Sequence, residues 1–169
     1  MNPTKYIEKA SQSAFYLWLL NMGLQRAVPF NKPHRFRIQK IEKGKVEIKL
    51  PFIRKNQNHI KGLHACSMAT LAEYSTGLTL LSCLDPKKYR LIMQKIEMEY
   101  FYQGKTDAIA SFQITNEWLQ SNVLEIVEAG SPAIITCEIH IHDINQNKLA
   151  TGNIHWQVKS WSDVKTTIT

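Results

Sequence analysis

Cysteine is scarce in this chain. Cys66, Cys83 and Cys137 are the only three among 169 residues. They show no metal or redox spacing, and their odd number argues against a disulfide framework. A reducing, cytoplasmic setting is the expectation. Long apolar runs are scarce as well. Ala10 to Gln25 lacks charge and contains Phe15-Tyr16-Leu17-Trp18-Leu19-Leu20, but Ser11, Gln12, Ser13 and Asn21 dilute it. A spanning helix needs about 20 predominantly apolar residues, which this stretch does not supply. No small-residue cleavage site follows it, and Glu8 stands upstream beside Lys9, so it does not read as a secretory leader. We read about residues 5–25 as one amphipathic helix docked on the body of the protein and ended by Pro29 and Pro33. A membrane-surface role for its aromatics is the lesser reading, so a membrane partner is not expected. Internal repeats, low-complexity tracts and linkers are missing too, which makes residues 1–169 a single domain. No dinucleotide or metal motif is found.

What is present is the composition of an ordinary soluble globular protein, 44% hydrophobic and 21% charged. Acidic residues are the minority charge, giving a formal net charge of +7. The cations are spread along the chain, so they read as a solvated basic surface rather than a nucleic-acid footprint. Attraction to an anionic ligand is the second reading.

Period-two alternation marks the strands. Phe36 and Ile38 alternate with charged neighbours, Lys43-Gly44 turns the chain, and Val46, Ile48 and Leu50 follow. Ile96, Met98 and Tyr100 oppose Lys95, Glu97 and Glu99; Ala108, Ala110, Phe112 and Ile114 line another strand. A short helix is expected over 117–128. Ile135, Cys137, Ile139 and Ile141 then alternate with polar residues, and Ala150, Gly152, Ile154, Trp156 and Val158 form the last inner face. His140 falls beside Thr151 and His155 beside Thr136, too far apart to share an ion, so no metal site is expected.

Between the two sets of strands, Leu63 to Leu84 has no proline, one glycine and a single formal charge, Glu73. Ala65, Ser67, Ala69, Thr70, Ala72, Ser75, Thr76 and Gly77 allow close approach on nearly every side, which predicts a long central helix wrapped by the rest. A lone carboxylate there is paired, used, or raised in pKa by burial. Antiparallel strands with one polar face, curled around a single helix, give an α+β fold.

The spacing Asn58, His64, Glu73 within Leu-Ala-Glu, then Gly77, resembles the signature of the PaaI-like hotdog-fold thioesterases. It departs from that signature where Ala65 and Cys66 stand for two glycines, where Glu73 stands for Asp, and where Gly62 sits one place late. Such departures resemble a poorly characterised branch of the superfamily. The resemblance implies a hotdog fold and hydrolysis of an acyl-CoA or acyl-carrier thioester by homodimers or homotetramers. CoA would be part of the substrate, whose phosphates suit the basic surface, and no other cofactor is implied. Glu73 would be the base or nucleophile, and the N–H groups of His64 and Ala65 would hold the oxyanion, with the Ala65 methyl narrowing the approach. Asn58 and His64 would assist catalysis, the other reading being a turn or helix-entry cap for Asn58 and helix capping or helix-start packing for His64; Ser67, Thr70 and Gly77 would meet the substrate. Nine residues separate His64 from Glu73, so they lie on opposite helix faces roughly 13 Å apart along the axis. Only two antiparallel copies can bring them to one substrate. The alternative is a non-catalytic dimer of the same fold that binds a fatty-acyl or acyl-CoA-like ligand.

Overall fold

The structure, a computed structural model, describes residues 3–164. Two helices open it, α1 (Pro3–Gln12) and α2 (Ala14–Ala27), followed by a 3-10 turn over Pro29–His34. A single helix was expected over about residues 5–25. Ser13 breaks it by adopting an extended conformation, φ −143° and ψ 123°. The break has a packing cause. α1 and α2 pack on each other and both contact β1, but α1 buries Ile7 and Ala10 and also contacts α3, whereas α2 has no fully buried residue and also contacts the 3-10 turn. Serine, a favoured N-cap residue, marks where the chain changes direction.

The hairpin of β1 (Arg37–Glu42) and β2 (Lys45–Leu50) follows, turning at Gly44 with φ +78°, a conformation that suits glycine. Ser82 Oγ accepts the Gly44 N–H at 2.9 Å, which ties the turn to the far end of the central helix. That helix is α3 (Ala65–Cys83). After it come β3 (Tyr89–Tyr100), β4 (Ala108–Gln113), a helical segment, β5 (Ala133–Asp143) and β6 (Lys148–Ser160). The helical segment is α4 (Asn116–Leu119), a π turn (Gln120–Leu124) and α5 (Glu125–Glu128), which agrees with the helix expected at 117–128.

All six strands form one antiparallel sheet in the order β1-β2-β4-β5-β6-β3. α3 packs against β2, β3, β4, β5 and β6, so the sheet curls around it. This is the hotdog arrangement. Small residues let the helix sink into the sheet: a Cβ on Gly77 would lie 2.9 Å from the Trp156 ring. Trp156 Nε1 in turn donates to Thr76 Oγ1 at 3.0 Å. The register is the one the alternation implied, with His140 opposite Thr151 and Thr136 opposite His155.

The two sheet edges differ. On β1 the Asn21 side chain of α2 takes both outward groups of Ile38, accepting its N–H at 2.8 Å and donating to its carbonyl at 3.1 Å. A bulge at Gln39 interrupts what remains. At the other edge β3 runs for 12 residues, with Ile92, Met93 and Tyr100 exposed. Among the described residues no neighbouring strand covers it.

Candidate functional site

The amino end of α3 is built from the loop before it. Asn56, wholly buried, donates through Nδ2 to the carbonyls of His34 (2.9 Å) and Pro51 (2.8 Å), and its Oδ1 meets His34 Nδ1 at 2.8 Å. Its own carbonyl accepts the His64 N–H at 2.8 Å. His64 is the N-cap: its Nδ1 accepts the Cys66 N–H at 3.0 Å, and its carbonyl receives the N–H groups of Ser67 and Met68. One of the two N–H groups expected to face the substrate is therefore not free. The His64 N–H is occupied by Asn56, while the Ala65 N–H has no acceptor among the described residues and lies exposed at the positive end of the helix.

The other expected contacts resolve in the same way. Asn58 staples the loop, its Oδ1 accepting the N–H groups of Ile60 (3.1 Å) and Gly62 (3.0 Å). Ser67 is buried and donates to the His64 carbonyl at 2.7 Å. Thr70 donates to the Cys66 carbonyl at 2.9 Å. Both hydroxyls are thus engaged inside the helix. Tyr100, at the end of β3, donates its hydroxyl to the Ala65 carbonyl at 3.0 Å and so ties the exposed strand edge to the helix start.

Two turns along, Glu73 faces a different opening. A cleft of about 410 Å³ lies at the seam where the curled sheet fails to close. Its walls are Leu24 of α2 and Val28 just after it, Glu73, Tyr74, Gly77 and Leu78 of α3, and Tyr89 to Ile92 of β3, with Trp156 behind. Gly77 thus both seats the indole and lines the cleft. Glu73 is half-buried, and its carboxylate has no hydrogen-bonding or ion-pair partner among the described residues. Burial raises its carboxyl above the ordinary range. The neighbouring Tyr74 hydroxyl is raised by burial and by the Glu73 charge. Arg90 lines the same cleft, also without a carboxylate in ion-pair range among the described residues.

The sequence residues therefore fall into two groups. Asn58, His64, Ala65 and Ser67 gather at the helix start; Glu73 and Gly77 open on the seam; one chain does not join them. Sequence reasoning missed Asn56, Tyr100 and Arg90. Tyr100 and Arg90 had only strand alternation as a signal, and a buried loop asparagine leaves none. Among the described residues no cluster of histidine, cysteine and carboxylate side chains could hold a metal ion. His155 instead bonds Thr136 and Glu97, and His140 bonds Thr151.

Solved structures share this fold. A Pseudomonas aeruginosa protein of unknown function, PA5026, described as a probable thioesterase, superposes with a TM-score of 0.75 at 23% identity, covering 80% of this chain and 90% of that one. The Haemophilus influenzae thioesterase HI1161 gives a TM-score of 0.68 at 14% identity, covering 89% of this chain and 94% of that one. A Chlorobaculum tepidum protein of unknown function, OLEI01261, gives 0.69 at 13% identity, covering 94% and 96% of the two chains. At these identities the likeness establishes the hotdog fold. No curated protein matches the chain in sequence. The model of one family, described as Domain of unknown function (DUF4442), matches residues 17–158. Spanning most of the sequence, it places this chain in that family.

Proposed function

We propose that the protein hydrolyses an acyl thioester of CoA or an acyl carrier at a site shared by two copies. The observation that carries the reading is Glu73, an unpartnered carboxylate raised by burial in a largely apolar cleft. A carboxylate raised toward neutrality is a competent general base. It takes a proton from water as the water oxygen bonds the thioester carbonyl carbon. The Ala65 N–H donates to the oxyanion that forms. Collapse of the intermediate breaks the C–S bond, and the proton held by Glu73 passes to the departing sulfur. The products are a carboxylate and a thiol.

The open strand edge supports the two-copy geometry. Antiparallel pairing of β3 with its copy, about a two-fold near Gln94, lays one copy's Tyr100 beside the other's Tyr89. Tyr100 is tied to Ala65, and Tyr89 lines the Glu73 cleft. One protomer's amide donor thereby approaches the other's carboxylate. In this assembly His64, Asn56 and Asn58 are positioning residues that keep the helix start in shape, while Gly77 leaves room for the acyl chain.

Thiol release from a panel of short, long and aromatic acyl-CoAs tests the reading, with wild type run beside Glu73→Gln and the mass of each measured by light scattering. The expected result is turnover by the wild-type dimer and at least a hundredfold loss in kcat for the folded variant, on the order of general-base contributions. Equal rates would remove Glu73 from the chemistry. No turnover on any substrate by a folded dimer that still binds acyl-CoA would favour the binding-protein alternative.

A further inference from the structure

α2 is apolar on two faces. One packs on the protein through Tyr16, Leu17, Leu20 and Leu24. The other carries Phe15, Trp18, Leu19 and Met22, spaced i, i+3, i+4 and i+7, so they form one stripe. These side chains stand 62%, 55%, 37% and 44% exposed, and Phe15 stacks on Trp18 with ring centroids 6.0 Å apart. Arg26 continues the stripe one turn beyond Met22, and Phe30, 67% exposed, follows in the 3-10 turn.

Beside this stripe lies positive charge without balance. A groove of about 550 Å³ runs along α2 past Trp18, Met22, Gln25 and Arg37. Gln25 and Arg37 also border a second groove of about 530 Å³, where Lys32, Arg35 and Lys55 join them. No carboxylate lines either groove, and among the described residues none is within ion-pair range of Arg26, Lys32, Arg35, Arg37 or Lys55. Asp107 exerts a field on Arg37 but pairs with Lys49.

We infer that this face docks the protein on an anionic lipid bilayer, with the stripe of α2 lying in the interface and the cations meeting lipid phosphates and carboxylates. An interfacial helix is recognised by an apolar stripe bordered by cations, and this surface supplies both parts on contiguous residues. Charge complementarity selects the occupant. A second copy of this chain, itself at +7, would bring a cation-rich flank toward another, whereas an anionic membrane neutralises it. The inference is independent of the thioesterase reading, because it concerns the outer face of α2 rather than the seam.

Vesicle co-sedimentation of the whole chain tests it, using phosphatidylcholine alone and phosphatidylcholine with about one-third phosphatidylserine. Two variants accompany the wild type: Trp18→Asp with Met22→Asp, and Lys32→Glu with Lys55→Glu. All four positions are exposed, and circular dichroism checks that each variant is folded. Wild type should sediment with anionic vesicles and lose at least tenfold in affinity on neutral ones or at high salt. Each double variant should lose at least tenfold on the anionic vesicles. Failure of the wild type to bind, or equal binding to both vesicle types, would overturn the inference. So would a lower oligomer mass in Trp18→Asp with Met22→Asp at unchanged lipid binding, which would assign the stripe to a second copy.

Discussion

Replacing Asn56 by alanine should strongly destabilise the protein, although Asn56 touches no substrate in the proposed chemistry. Its side chain satisfies the His34 and Pro51 carbonyls and meets His34 Nδ1, at 2.8–2.9 Å and with no exposure to water. Each such bond contributes about 1–1.5 kcal/mol net, and a buried group left without its partner costs about 1–3 kcal/mol. Three lost bonds set the cost at about 3–5 kcal/mol, against a total of roughly 5–15 kcal/mol for a domain. Asn58→Ala removes bonds at a half-buried loop that water can replace, so its cost is about 1 kcal/mol. Asn56→Asp separates shape from donor chemistry: it keeps the volume but turns an acceptor oxygen toward two carbonyls. It should cost at least as much as alanine at neutral pH. Urea unfolding followed by tryptophan fluorescence measures all three. If Asn56→Ala loses no more stability than Asn58→Ala, the account of how the α3 start is held is wrong.

Two further outcomes follow from burial. A carboxyl raised on folding holds its proton more tightly folded than unfolded, so Glu73 subtracts stability as pH climbs from the ordinary carboxylate range through the raised value. Glu73→Gln should therefore have a higher urea midpoint than wild type at neutral pH and the same midpoint in acid below that range; a constant difference across pH would refute the cause assigned. The thiols should react in order of access. Cys66 is exposed and Cys83 half-buried, while burial pushes the Cys137 thiol up to about 12. A charged disulfide reagent should modify Cys66 first and Cys137 only on unfolding, and uniform rates would contradict the packing of β5.

How much of this was legible in the sequence depended on whether a feature repeats. The central helix was legible because some twenty residues with one charge and many small side chains fit few other environments. The β5–β6 register was legible because alternation and loop length fix it together, which placed His140 and His155 correctly. Features set by a single partner elsewhere in the chain were not. Ser13 breaks the first helix where α1 and α2, which share β1, part to reach α3 and the 3-10 turn respectively, a choice invisible to local propensity. The His64 N–H is occupied because the loop folds Asn56 back beneath it. The sequence also showed one amphipathic stretch over about residues 5–25 without showing that α2 is apolar twice over, because composition does not say which face is covered.

The Asn21 amide has a consequence for the valence of the molecule. By occupying the outward groups of Ile38 it caps one of the two places where another strand could add. A chain with two open edges is a bifunctional monomer and can polymerise without limit. With the β1 edge capped at Ile38, β3 is the open edge among the described residues, and in the proposed pairing of two copies through β3 each copy would consume the other's open edge, so growth would stop at a pair. On that proposal, one asparagine on a helix would set the stoichiometry at which sheet extension stops.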